Sequence, residues 1–167
     1  MNIEKAYIKV REMSYGRNSG KRSVLCLGRI GYRWFAIVDC NGMFPIAYVE
    51  AKPGDPYLGD DYAEDESLTA GLYKRDYEIP EDAPESYVSI DFGPESLELD
   101  DEEETVLFSK LLSKKYWAWD YGHAGDYAVI RGEVCDGKEH TVKEIFKEDI
   151  IPFVKWVNAV NSANRQK

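Results

Sequence analysis

Val24-Leu25-Cys26-Leu27-Gly28-Arg29-Ile30-Gly31-Tyr32-Arg33-Trp34-Phe35-Ala36-Ile37-Val38-Asp39-Cys40-Asn41-Gly42-Met43-Phe44-Pro45-Ile46-Ala47-Tyr48-Val49-Glu50 is the stretch whose reading decides the fold. Val24–Ile30 and Tyr32–Asp39 are apolar, β-branched or aromatic, which suits strands, and Gly31 separates them. Asn41-Gly42 then lies between apolar runs. That dipeptide takes positive φ at both positions and gives the strongest short hairpin signal. Phe44–Glu50 is the returning strand.

Upstream, residues 4–13 alternate weakly and suggest a first strand, and 15–22 read as a polar, glycine-containing loop. Downstream, 51–66 read as a loop, Ser67–Tyr73 as a short strand, and 76–86, with Pro80 and Pro84, as an irregular connection. Tyr87–Phe92 alternates with period two. Thr105–Leu112 suits a short helix with Glu102–Glu104 near its positive N-terminal end. Tyr116–Asp120 and Tyr127–Val134 read as further strands.

The C-terminal segment is the clearest helix. Thr141 and Glu144 make a capping box, and Val142, Ile145, Phe146, Ile150, Phe153, Val154, Trp156, Val157 and Val160 follow helical spacing. Pro152 predicts a kink or a fresh start capped by Asp149. The whole predicts an α+β fold: one domain over residues 1–167, with a mainly antiparallel sheet of about five to seven strands. The C-terminal helix covers one face, 76–104 is partly irregular, and 162–167 is a frayed tail.

The chain has 167 residues, 44% of them hydrophobic and 13% aromatic, enough for a packed core. No apolar run reaches the ~18 residues of a membrane span. The charged start Met1-Asn2-Ile3-Glu4-Lys5 lacks the apolar stretch of a signal peptide. A cytoplasmic protein with no membrane association follows. Three cysteines, Cys26, Cys40 and Cys135, fit reduced thiols serving mostly as core filler.

Net charge is −10, and its distribution is uneven. Residues 53–109 hold two basic and nineteen acidic side chains, a local charge of −17, and no basic residue falls between Arg75 and Lys110. Such a segment repels phosphates and attracts basic surfaces. The simpler reading is a solvated surface. The sharper one is a nucleic-acid mimic that covers the basic groove of a nuclease or polymerase.

Two stretches invite chemistry. In Trp117-Ala118-Trp119-Asp120-Tyr121-Gly122-His123-Ala124-Gly125-Asp126-Tyr127, His123 stands between Asp120 and Asp126 on small neighbours. A carboxylate beside histidine fixes the tautomer and stabilises the imidazolium, so His123 would act as general base with Asp120 or Asp126 as its orienter. The plainer alternative has His123 bonding a backbone carbonyl while an aspartate caps a turn. As a metal site the three residues lack supporting histidines, His140 being the one other candidate and expected to be exposed. No metal or other cofactor is expected. A cysteine nucleophile would need Cys40 or Cys135 beside His123. Gly16-Arg17-Asn18-Ser19-Gly20-Lys21-Arg22-Ser23 fails the phosphate-loop pattern, with three residues instead of four between its glycines. The second stretch, residues 53–62, gathers Asp55, Tyr57, Asp60, Asp61 and Tyr62, a composition that suits a recognition surface and equally an ordered loop with no partner.

Together these stretches resemble a family of small uncharacterised proteins of phages and mobile elements. Its segments are Gly-His-Pro-x-Tyr-Gly-x-x-Tyr, His-Gly-Gly-Leu and Trp-x-Gly-Phe-Asp-Cys-x-His-x-Gly-Asp. The counterparts here are Gly54-Asp55-Pro56-Tyr57-Leu58-Gly59-Asp60-Asp61-Tyr62, Thr69-Ala70-Gly71-Leu72 and Trp117-Ala118-Trp119-Asp120-Tyr121-Gly122-His123-Ala124-Gly125-Asp126. The order and rough spacing agree over about residues 40–160. The resemblance brings no established activity. Asp55 and Thr69 replace the family's histidines and Tyr121 its cysteine, which weakens an enzyme reading and favours binding.

Two functions follow as expectations. The first is a non-catalytic acidic binding protein, an inhibitor of a host nucleic-acid enzyme of the anti-CRISPR or anti-defence kind. It would act through Asp55, Tyr57, Asp60, Asp61, Tyr62, Asp100, Asp101, Glu102, Glu103, Glu104, Trp119 and Tyr121. Its partner would be a basic protein, with no direct nucleic-acid contact. The second is a small hydrolase or nucleotide-handling enzyme using His123 with Asp120 and Asp126.

Overall fold

A computed structural model describes residues 10–17, 23–52, 55, 88–89, 106, 111, 114–122 and 124–165. Five strands, β1 (Ser23–Ile30), β2 (Arg33–Asp39), β3 (Pro45–Glu50), β4 (Val88–Ser89) and β5 (Lys115–Asp120), form one sheet in the order β1-β2-β3-β5-β4. Every pairing in it is antiparallel. The fold is α+β, as the strand and helix patterns predict.

Hairpin chemistry builds the first three strands. Asn41 and Gly42 take φ of 52° and 76°, and the Met43 N–H donates to the Cys40 carbonyl at 3.0 Å, the mirror-image turn whose twist matches its strands. Only glycine suits position 42, since a Cβ there would lie 2.4 Å from the Arg17 carbonyl oxygen. The β1–β2 link is equally short, with Ile30 facing Arg33 across Gly31 and Tyr32. In β1 the register slips between Val24 and Cys26, a bulge that lets consecutive Leu25 and Cys26 join one core.

The sheet is buried on both faces. One carries Phe35, Ile37, Ala47, Val49, Trp117 and Trp119, packed against the C-terminal helix. Phe153 is fully buried there, with Trp117 at 4.8 Å and Trp119 at 5.3 Å between ring centroids. The opposite face holds Val24, Leu27, Trp34, Ala36, Val38, Tyr48 and Tyr116, and Leu111 packs into it. Burial on two faces explains why Leu25–Leu27 and Trp34–Val38 read as unbroken apolar runs rather than alternations.

The region expected as one strand over Tyr127–Val134 is a hairpin. β6 (Ala128–Ile130) pairs with β7 (Glu133–Cys135), and the turn between them has Arg131 at φ 55° and Gly132 at φ 79°. The C-terminal helix runs as α1 (Val142–Glu144), a π-helical stretch (Ile145–Ile150) and α2 (Ile151–Arg165). The Thr141 hydroxyl accepts the Glu144 N–H at 3.2 Å, as a capping box requires. Pro152 does not break the helix. The wider turn ahead of it carries the Ile151 N–H to the Phe146 carbonyl, five residues back, so the chain enters the proline without a new cap. Asp149 lies inside the π-helical stretch rather than at a helix start, residues 162–165 continue the helix, and 166–167 lie outside the described residues.

Val10–Met13 form no strand, though the Arg11 N–H donates to the Leu25 carbonyl at 2.8 Å. Val106 and Leu111 are helical within the expected 105–112 helix. The expected strand Ser67–Tyr73, most of the expected 51–66 loop, the expected irregular connection 76–86, most of 87–92 and the acidic residues 95–104 lie outside the described residues.

Candidate functional site

The sheet has two polar ends, and each collects some of the predicted residues. At the end where β5 finishes, Asp120 and Tyr121 leave the sheet side by side. The Asp120 carboxylate accepts the Gly122 N–H at 2.9 Å, so it caps the local turn. Gly122 is there for packing: a Cβ would stand 2.6 Å from the Phe44 ring. Tyr121 turns inward and is 5% exposed. Its hydroxyl accepts the Trp119 indole N–H at 2.9 Å and donates to Asp149 Oδ2 at 2.5 Å. Trp119 is buried as well. Neither aromatic ring offers a binding surface, which corrects the exposed role expected of both.

Asp126 meets histidine, but the histidine is His140. Its Nε2 lies 2.8 Å from Asp126 Oδ1, and both side chains are about one-fifth exposed. The β6–β7 turn brings them together, folding the chain so that Asp126 bridges to Lys138, two residues before His140. The missed signal was Gly132, which marks that turn. The His140 ring also lies 4.8 Å from the Tyr121 ring. His123 lies outside the described residues.

Burial sets the electrostatics at this end. Desolvation, then the neighbouring Asp149 charge, pushes the Tyr121 phenol well above its ordinary range. Desolvation also raises the Asp149 carboxyl, against the lowering effects of the Tyr121 hydrogen bond and of His140. Nearby, Tyr15 packs edge-on to Tyr127 at 4.8 Å. It is pushed up to about 12, first by burial and then by Glu139, Tyr127, Asp39 and Asp126. The cluster thus contains an oriented imidazole, a carboxyl that holds its proton longer than usual, and a neutral phenol.

The opposite end is ionic. Asp55, expected on an exposed recognition loop, is 1% exposed. Arg33 grips it with two bonds of 2.6 Å, Lys52 N–H donates at 2.6 Å, and Asn161 of α2 donates at 2.8 Å. The same guanidinium donates to the Glu50 carbonyl at 3.0 Å and lies 5.9 Å from the Trp117 ring centre. Glu50, also buried, accepts the Trp34 N–H at 3.0 Å. Its other oxygen stands 3.2 Å from Lys52 Nζ and 3.6 Å from Lys114 Nζ. Asp55 is therefore an internal tie between β2, the chain after β3, and α2. Sequence reasoning missed its partner, because Arg33 lies twenty-two positions away inside an apolar strand.

Tyr57, Asp60, Asp61, Tyr62, Asp100, Asp101, Glu102, Glu103 and Glu104 lie outside the described residues. All three cysteines are free. Cys26 is core filler, its thiol pushed up to about 12 by burial, whereas Cys40 is half-buried and Cys135 is exposed on β7. Among the described residues no group of three His, Cys, Asp or Glu side chains is placed to hold a metal ion, and no helix is long and apolar enough to cross a membrane. No family model, curated protein or solved structure matches the chain.

Proposed function

We propose that this chain is an acidic binding protein that engages a basic protein partner, of the kind that handles nucleic acid, and so inhibits it. The observation that carries the reading is the charge distribution: −17 over residues 53–109 in a chain of net −10. Paired cations of a nucleic-acid groove are the surface such a segment attracts most strongly. The described residues support the reading by what they do with their own polar groups. Asp55, Glu50, Asp120 and Tyr121 are all engaged in internal contacts, so the sheet serves as a rigid carrier.

The test begins with a pull-down from the source cell's lysate, eluted across a salt gradient. The partner expected is a basic nucleic-acid enzyme, released by salt and displaced by DNA. Reversing charge at Asp100, Asp101, Glu102, Glu103 and Glu104 should then abolish binding. Unchanged affinity in that variant defeats the reading.

One geometric observation favours a second reading. The 2.8 Å Asp126–His140 pair, beside a carboxyl raised by burial, supplies a base and an acid within one cluster. In a small hydrolase His140 would activate water, oriented by Asp126. His140→Asn with retained fold and lost turnover in a screen of esters and nucleotides would establish it.

A further inference from the structure

The β6–β7 hairpin is a two-stranded sheet of its own, fastened at its root and along one side. At the root the Tyr127 N–H donates to the Lys138 carbonyl at 2.9 Å, and the Lys138 N–H to the Gly125 carbonyl at 2.8 Å. Gly137 sits so close there that a Cβ would lie 2.4 Å from the Gly125 carbonyl oxygen. Every residue from 131 to 139 is exposed, Val134 by 60%.

The two edges of the hairpin differ. On the outer side of β6, the Val129 N–H donates to the Met43 carbonyl at 3.0 Å. Facing residues of an antiparallel pair alternate between exchanging bonds and turning their bonding groups outward. Val129 turns outward, so Val134 opposite it turns outward as well, on the other side. Among the described residues no strand pairs with β7 on that side, and the Val134 N–H and carbonyl therefore point to an open edge.

The turn adds a second observation. Arg131 and Gly132 take φ of 55° and 79°, nearly the values of Asn41 and Gly42 in the first hairpin. Asparagine adopts this backbone readily and arginine does not. The chain thus keeps a guanidinium at an exposed tip against a local backbone preference. The opposite charge, Asp136, follows directly after β7 and is exposed too.

We propose that β7 pairs with β7 of a second copy of this chain, antiparallel about a two-fold axis at Val134. The outward groups of Val134 set that register, because each N–H can donate to the carbonyl of the same residue in the second copy. The two hairpins then form one four-stranded sheet, and the exposed Val134 side chains meet. Counted outward from the axis, Gly132 faces Asp136 of the second copy. Arg131 comes beside that carboxylate, and symmetry makes the contact twice. The strip is short and a net charge of −10 on each chain opposes association, so the pair is a weak one. The inference stands apart from the binding reading above.

Sedimentation equilibrium of the full chain tests it, in about 0.15 M salt and from about 20 µM to about 1 mM protein. The native chain should show a monomer–dimer equilibrium. R131D and D136R each place like charges together at both contacts, and each should dimerise about tenfold more weakly. D136R discriminates further, since it lowers the opposing net charge and would tighten a pair governed by general repulsion alone. Mixing the two variants restores opposite charges at both contacts and should recover the native equilibrium. Val134→Pro removes the outward N–H and leaves the bonds between β6 and β7, so it should also yield monomers. Arg131→Asn should raise the melting temperature while weakening the dimer. A native chain that stays monomeric at the highest concentration overturns the proposal and assigns the open edge to some other occupant. Single charge variants that dimerise like the native chain overturn it too, as does a mixture that fails to recover. Thermal melting confirms that the variants fold, and if Val134→Pro does not, the charge exchange decides alone.

Discussion

The two ends of the sheet bury carboxyl groups in opposite ways. At the β3 exit, Asp55 and Glu50 face Arg33, Lys52 and Lys114, so each buried negative charge meets a cation. At the β5 exit, Asp149 faces the Tyr121 phenol, with His140 acting only through space. In the first arrangement the pairing between Arg33 and Asp55 lies in a dry site, where Coulomb attraction is strong but removal of one partner strands a charge, whereas Lys52 and Lys114 meet Glu50 from partly exposed positions. The second lets the carboxyl give way, by moving its proton equilibrium. One sheet thus has one end where buried carboxylates are ion-paired and another where burial raises a carboxyl's proton affinity.

The largest effect should come from stranding the buried charge. Arg33→Ala leaves Asp55 with Lys52 N–H and Asn161 but no cation, and should cost about 3–5 kcal/mol in urea unfolding followed by tryptophan fluorescence. Arg33→Lys should recover only part of this, since an ammonium cannot make both 2.6 Å bonds of the guanidinium fork. If Arg33→Ala cost less than about 1 kcal/mol, the ends would not differ in kind.

Next is Tyr121→Phe. It removes a hydroxyl that is both acceptor to Trp119 and donor to Asp149, leaving one buried indole N–H without its partner. The expected cost is about 1–3 kcal/mol, smaller than at the ionic end because no charge is stranded. A larger loss than in Arg33→Ala would reverse the comparison. Thr141→Ala follows at about 1 kcal/mol by thermal melting, the usual value of an N-cap. That cap starts the helix directly after His140, so the variant should also loosen the Asp126–His140 pair, visible as a changed His140 ring shift in NMR.

Much of the architecture was legible because local chemistry decided it. Asn41-Gly42 demanded a hairpin, and Thr141 with Glu144 a helix start. The second face was legible in principle, since runs such as Trp34–Val38 do not alternate. Arg131-Gly132 was missed because arginine is an unusual residue at positive φ, although glycine beside it makes the turn possible. Pro152 misled because a π-helical stretch precedes it, whose wider turn the spacing of apolar residues does not signal. The site residues were harder. Side-chain partners lie far apart in sequence: Asp55 meets Arg33 and Asn161, Tyr121 meets Asp149, and Asp126 meets a different histidine from the one beside it. Periodicity and turn signals carry no information about such pairings.

The smallest effect at any single pH is the most discriminating in sign. Asp149 has its folded carboxyl raised above the ordinary value of 3.8, so between those two values the folded chain keeps a proton that the unfolded chain has released. Unfolding then releases a proton, and stability contributed by this group falls as pH rises through that window. Asp149→Asn keeps the shape and an oxygen toward the Tyr121 hydroxyl while removing the titration. Between pH 4 and pH 7 its stability, measured by urea titration at each pH, should decline less than that of the native chain, or rise. Partial exposure of Asp149 keeps the difference modest, as solvent screens the charge. An unchanged slope would mean that Asp149 titrates as an ordinary carboxyl. The β5 end would then lose the property that sets it apart from the β3 end.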